Sequence, residues 1–182
     1  MNMNLLLKEL KVFYYNADEA GKMIISCALV AAGSAAVGGM IPALEIPALI
    51  VASVGAVWTM YIKLCRILHI SIGDNLLKVL ASAALTNIAT NLIGVFALEL
   101  LSCFIPGIAS ISGALITFTS VYLAGQMFMG MVLFFARQGK TGADLGNVSA
   151  EEMRDVLADQ TPKKADVKDA KKVFRENYGE NR

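Results

Sequence analysis

Few residues of this sequence have both the type and the spacing that chemistry requires. His69 is the single histidine, and the three cysteines, Cys27, Cys65 and Cys103, are far apart in the chain. Zinc ligands normally come in close pairs, and a cysteine nucleophile needs a base beside it. Because the sequence holds no pair with such spacing, we predict no metal, no cofactor and no enzyme activity.

The stretch RQGKTGAD is the other candidate for chemistry, since Gly139, Lys140 and Thr141 look like the end of a phosphate-binding loop. Such a loop needs a first glycine five residues before the second, and it follows a strand. That earlier position holds Phe134, at the end of an apolar run. We therefore interpret these glycines as a helix stop at a membrane surface.

The composition indicates a membrane protein. Hydrophobic residues make up 56% of the chain and charged residues 17%, against about 45–50% and about 25% in soluble proteins. The uncharged runs are residues 23–44, 46–62, 79–98 and 100–136. A bilayer core takes about 20 helical residues. We predict an all-α fold, an integral membrane bundle of four hydrophobic helices.

The charges divide the chain into three parts. Residues 1–22 are predicted to form an amphipathic helix on the membrane or on the bundle. Residues 23–136 form the membrane domain, in which a basic link, 63–78, joins two hairpins, 23–62 and 79–136. Residues 137–182 hold 10 of the 16 basic residues and are predicted to form a helical cytoplasmic tail.

The basic residues that flank the runs predict the orientation. They all lie before the first run, between the second and third, or after the fourth. By the positive-inside rule both termini are then cytoplasmic and the protein is multi-pass. Two alternatives remain: a soluble Ala-rich bundle, and a pair of hairpins that enters the membrane without crossing it.

The segments IPALEIP and IPGIAS are predicted to turn the two hairpins, which align at an offset of 64 positions as an internal repeat. Pro42 ends one helix, and Pro47 starts the next. Glu45 lies near that helix N-terminus, either as a cap and interface anchor or as an ion or proton site. Pro106 and Gly107 form the second corner.

Two further sets of residues are candidates for function. Asn87, Thr90, Asn91 and Gly94 share a face of the third run, where they either line a polar path or form interhelical hydrogen bonds.

The tail contains the second set. Ser149 and Glu152 form a capping box, and Thr161 and Pro162 are predicted to open another helix. The apolar stripe of that helix docks either on a partner or neighbouring subunit, or on its own bundle; it consists of Val167, Ala170, Phe174 and Tyr178. The tail's charge is near neutral, which argues against nucleic acid as a partner.

The two corner segments, IPALEIP and IPGIAS, resemble the bacterial family called domain of unknown function 697. With Gly125 and the ending FFARQGK before SAEEMRDVL, the resemblance covers residues 21–157. The first corner of that family is usually Pro-Gly-x-Asp-x-Pro, whereas this chain has Ala43 and Glu45. The resemblance implies a helical hydrophobic protein of the bacterial cytoplasmic membrane. It also implies association with Ras-like or dynamin-like GTPases, which are often fused to family members or encoded beside them.

Two functions follow as expectations. The first is a non-enzymatic anchor or adaptor that recruits a cytoplasmic partner, by the resemblance a GTPase. The second is a homo-oligomeric pore lined by Asn87 and Asn91. Both require a lipid bilayer, and we expect the protein to be a homo-oligomer.

Overall fold

The computed structural model describes residues 3–38, 45–76, 78–80, 82 and 108–179 of the 182-residue chain. Every regular element in these ranges is a helix, so the predicted all-α class is confirmed for this part of the protein. Two of the four predicted spans fall wholly or partly on residues 83–107, which lie outside the described residues. The four-span hairpin arrangement therefore stays a prediction.

Six helical elements have defined bounds: α1 Met3–Gly38, α2 Glu45–Ile67, α3 Ile108–Arg137, a 3-10 helix Gly142–Asn147, α4 Ala150–Asp159 and α5 Lys164–Gly179. A short helical stretch covers residues 74–76, 78–80 and 82. α1 packs against both α2 and α3, while α4 and α5 lie on α3. Within the described residues, α1, α2 and α3 therefore form a three-helix unit, and Leu76, Val79 and Leu80 of the short stretch also belong to its core.

α1 is a single helix of 36 residues. The predicted amphipathic segment 1–22 and the first apolar run are thus continuous, with no break where the charges end. The described part of α1 reaches Gly38, and residues 39–44 of the predicted first run lie outside the described residues. α2 begins at Glu45, so Glu45 and Pro47 lie in its first turn. That position needs no donor from Pro47, because the first N–H groups of a helix have no partner within it.

Small residues allow α1 to approach α3 closely. The buried face of α1 consists largely of alanines, namely Ala20, Ala28, Ala31, Ala32 and Ala35. Ile24 sits on Gly125 of α3, where an added Cβ would lie 2.7 Å from two Ile24 carbons. α3 contributes large buried rings to the same core, among them Phe118, Phe128 and Phe135.

Tyr61 joins α2 to the same level of α3. Its hydroxyl lies 3.5 Å from the carbonyl oxygen of Ala124, and its ring is 5.4 Å from that of Phe128. Beyond the C-terminal ends of α2 and α3, the His69 carbonyl oxygen lies 3.2 Å from a Cβ built on Gly142. α2 and α3 therefore run parallel.

The connection between α1 and α2 determines the direction of α1. Ile24 and Tyr61 lie at one level of α3, and only six residues separate Gly38 from Glu45. Six residues span at most about 25 Å. A parallel arrangement would separate the two helix ends by about 45 Å at 1.5 Å per residue. α1 is therefore antiparallel to α2 and α3.

α2 and α3 end in the same backbone motif. The Ile70 N–H donates to the Cys65 carbonyl at 2.8 Å, and the Lys140 N–H donates to the Phe135 carbonyl at 3.0 Å. Each closes a Schellman turn around a left-handed residue, His69 with φ 53° and Gly139 with φ 80°. Gly139 is thus the helix stop that the sequence predicts, and the single histidine has a backbone role.

The two stops predict opposite responses to substitution. His69→Gly should raise the free energy of unfolding by about 0.5–1 kcal/mol, because glycine adopts positive φ without a Cβ clash. Gly139→Ala should lower it by about 1 kcal/mol. Denaturant titration measures both changes. Equal effects of the same sign would contradict this account of the two turns.

Gly125 should be intolerant of a side chain. Gly125→Ala places a methyl group against Ile24 and should cost about 1–3 kcal/mol of stability. Gly21→Ala is the matched control, since Gly21 of α1 has nothing within 4 Å of an added Cβ. Thermal or chemical denaturation should separate the two. A double variant with Ile24→Ala should recover part of the strain and distinguish a clash from lost backbone freedom.

Candidate functional site: the apolar helix pair and its cover

Two segments of the described chain are long and apolar enough to cross a membrane by length and composition. They are Asn16–Val37 of α1, with 22 residues, and Gly113–Arg137 of α3, with 25 residues. The two belong to the helices that meet at Ile24 and Gly125. By this test, the α1–α3 pair is the candidate for membrane contact within the described residues.

Large apolar side chains are exposed on several helices of this unit. Val30 of α1 is 67% exposed, and Val37 is 65% exposed. The other exposed large apolar residues of the described part are Trp58, Ile72, Leu133 and Phe134. In water, such side chains add no stability. In a bilayer each would contribute about 1.5–3 kcal/mol if fully buried.

A lysine of α1 and a lysine of α2 lie at nearly the same height along the bundle axis. Lys22 is two residues before Ile24, and Lys63 is two residues after Tyr61. Because Ile24 and Tyr61 contact adjacent residues of α3, both lysines mark nearly the same height. On the other side, residues 23–37, 53–62 and 113–125 contain no charged side chain. The three helices thus share an apolar band.

α5 covers part of that band. Its Phe174 ring lies 5.2 Å from the Phe118 ring of α3 and 4.6 Å from the Tyr178 ring. Near the other end, the Gln160 side chain lies against Gly130 of α3. The chain from Gln160 to Phe174 therefore runs antiparallel to α3. It covers α3 from Gly130 to Phe118, about 18 Å at 1.5 Å per residue.

The docked position of α5 brings charges to the depth of the apolar band. Phe118 lies seven residues before Gly125, about 10 Å into the band. Exposed charged side chains surround Phe174 on α5, namely Lys171, Lys172, Arg175 and Glu176.

Each basic residue costs about 2.5–3.5 kcal/mol at the centre of a bilayer. Burial of Phe174 contributes about 1.5–3 kcal/mol, so it does not offset the charges. The docked arrangement therefore requires water along this side of α3.

Polar contacts hold the start of the tail to the end of α3. Lys140 forms an ion pair with Glu152 at 2.9 Å, and its ammonium lies 5.4 Å from the centre of the Phe135 ring. The Ser149 hydroxyl accepts the Glu152 N–H at 3.1 Å, as the capping box predicts. Buried Leu145, Val148, Met153, Val156 and Leu157 complete the junction. α4 is thus attached at the basic end of the bundle.

The second tail helix begins later than predicted. Thr161 and Pro162 precede α5, which starts at Lys164. The cap comes from the opposite direction, because the Asp166 carboxylate accepts the Lys163 N–H at 2.6 Å. An acid in the first turn also interacts favourably with the positive end of the helix dipole. Asp166 therefore has the capping role expected of Thr161.

Of the predicted site residues, the tail stripe is the set that the structure describes in full. Ala170 and Phe174 are buried, and Val167 and Tyr178 are half-buried. The stripe rests on its own bundle, the second of the two alternatives. Outside the described residues lie Pro42, Pro106 and Gly107 of the corners, and the polar face of Asn87, Thr90, Asn91 and Gly94.

The receiving surface on α3 was not predicted. Phe118 stacks on Tyr122 at 5.7 Å, and the two rings lie where α5 docks. α3 is apolar on every side, so no amphipathic pattern distinguishes the face that contacts α5 from the face that contacts α1. The aromatic pair one helical turn apart was the available signal.

The described residues offer little reactive chemistry. Burial raises the pKa of Cys65 to about 11, so this thiol stays protonated and unreactive near neutral pH. Within the described ranges, no three His, Cys, Asp or Glu side chains are placed to hold a metal ion. The described side chains are suited to contacts between apolar surfaces and to holding charged groups at defined positions.

The chain was compared with protein-family models, with curated proteins and with solved structures, and none of the three comparisons finds a match. The resemblance to the domain of unknown function 697 therefore stays a hypothesis that rests on the quoted motifs.

Proposed function

We propose that this protein is a non-enzymatic membrane anchor that inserts the α1–α3 pair into a bilayer and presents its tail helices on the cytoplasmic side. The observation that carries the proposal is the uncharged band shared by α1, α2 and α3, with Lys22 and Lys63 at one border. Two neighbouring helices, α1 and α2, lose their charges at the same level, beside an α3 that has no charged side chain before Arg137, and such a level matches the boundary between headgroups and hydrocarbon. Exposed Val30 and Val37 support the same placement.

The orientation and the partner belong to the proposal as well. Arg66, Arg137 and Lys140 lie on the charged side of the band, where the positive-inside rule favours the cytoplasm. The chain would then be a multi-pass protein of the bacterial inner membrane, with both termini inside. A GTPase is the partner implied by the family resemblance, and α4 and α5 are the segments placed to meet it.

The anchor rests on the apolar band of the described residues. The pore hypothesis depends on Asn87 and Asn91, which lie outside the described residues.

Insertion of α1 can be tested with a single added charge. Val30 lies six residues beyond Ile24 and is 67% exposed, so Val30→Lys should leave folding in water unchanged. In a bilayer the lysine should cost about 2.5–3.5 kcal/mol and reduce vesicle integration about a hundredfold. Gln138→Lys is the control, because it adds the same charge at the exposed basic end. Equal integration of the two variants, measured by flotation after salt and alkaline washes, would refute the proposed insertion.

Recruitment can be tested by removing the tail. A Ras-like or dynamin-like GTPase should float with vesicles that carry the full chain and not with vesicles that carry the chain lacking residues 149–182. Both chains should integrate equally, since the apolar band is retained. If the GTPase binds neither chain in any nucleotide state, the anchor has a different partner; if it binds both, the tail is not the contact.

A further inference from the structure

We propose that α5 exchanges one partner for another: in water its apolar stripe covers α3, and at a membrane the same stripe binds a bilayer surface rich in anionic phospholipid. This inference rests on the proposed function, because only a protein that places α3 in a bilayer must remove α5 from it. It assigns a second binding surface to the tail, and it names the lipid chemistry that the surface recognises.

The first argument is that the two positions exclude each other. With Phe174 on Phe118, the exposed side chains of Lys171, Lys172 and Arg175 lie beside the apolar band. Water must then reach this side of α3. If acyl chains cover the same side, the three cations lose their hydration, so the docked helix has to leave.

The second argument is that α5 has the composition of an interfacial helix. Along its 16 residues it carries five basic and three acidic side chains. The basic ones are Lys164, Lys168, Lys171, Lys172 and Arg175, all exposed. The opposite face holds the stripe with two aromatic rings, Phe174 and Tyr178. A helix with an apolar face, a basic polar face and low mean hydropathy lies in the plane of an anionic membrane surface.

The third argument is that apolar side chains hold α5 on the bundle, namely Val173, Phe174 and Tyr178. Ala170 and Phe174 are its buried residues, while every charged side chain of the helix is exposed. The ion pair Lys172–Glu176, at 3.8 Å, lies within α5 and not between α5 and the bundle. No charged group of the helix, within the described contacts, therefore has to break a bond to α3 when α5 leaves.

α5 can leave α3 while the preceding helix, α4, stays in place. α4 stays attached through the Lys140–Glu152 ion pair and the buried junction around Met153. Residues 160–163 connect it to α5 without regular helix. These residues lie at the basic end of the bundle, which is where the headgroups are placed by the proposed function. Rotation about them carries α5 from α3 onto the adjacent membrane surface.

The experiment measures the separation of α5 from α3 directly. Spin labels are attached at Gln126→Cys on α3 and Lys172→Cys on α5, both exposed positions, in full-length protein with Cys27, Cys65 and Cys103 replaced by alanine. Distances are recorded in water and with vesicles of equal parts phosphatidylglycerol and phosphatidylcholine. A version that retains the buried Cys27 and Cys65 is measured as well, in case the alanine replacements disturb folding.

We expect one short distance in water. On the anionic vesicles the population with that distance should fall about tenfold, with a broad distribution of longer distances in its place. Arg175→Gln should weaken binding to the anionic vesicles roughly fivefold, as expected for one basic residue at such a surface. Arg154→Gln of α4, also exposed, is the matched control and should have a smaller effect.

Three outcomes would decide against the exchange. If the protein integrates, as judged by quenching of Trp58 with brominated lipid, and the short distance persists, α5 stays docked and the proposal is overturned. The same holds if the distance lengthens only when a GTPase is added, or if Arg175→Gln and Arg154→Gln behave alike. If α5 separates on vesicles while Val30→Lys and Gln138→Lys integrate equally, the exchange stands and the proposed insertion fails.

Discussion

The contact of Ile24 with Gly125 is the interaction on which the rest of the structure depends. A helix pair without charged side chains at its contact has little to orient it except shape, and the missing side chain at Gly125 admits Ile24 to the α3 backbone. The alanine face of α1 extends that approach in both directions. Because Tyr61 of α2 meets α3 one residue away, the three helices are aligned at one level. The height of each side chain along the bundle axis is therefore defined relative to this contact.

The alignment explains why the charges form a boundary. Lys22 and Lys63 belong to different helices and lie far apart in the sequence, yet they stand at nearly the same height. A shift of one helix by two turns would move one lysine about 11 Å into the apolar band. Tight packing at Gly125 resists such a shift, because side chains in a close-packed interface have few alternative positions. Helix packing and membrane placement are thus linked.

The tail adds a conflict that the three-helix unit does not have. α5 is amphipathic, and its stripe finds on α3 an apolar surface of the right width, with Phe174 against Phe118. The same contact brings cations beside a segment that is apolar enough to cross a membrane. Under the proposed exchange, water and lipid therefore favour different positions of this helix.

The sequence by itself determined the helical class, the helix stop at Gly139, the cap at Ser149 and the start of α2 at Glu45, because each depends on residues within a few positions of one another. It also determined that the tail carries an apolar stripe. The hydrogen bond from the Lys163 N–H to Asp166 and the left-handed turn at His69 are also local, but no sequence pattern singled them out. Only the tertiary structure decided that the stripe rests on Phe118. The surface of α3 on which α5 docks could not be predicted, since a helix that is apolar on all sides does not indicate which face contacts which neighbour. That choice follows from the three-dimensional arrangement of α1, α3 and α5.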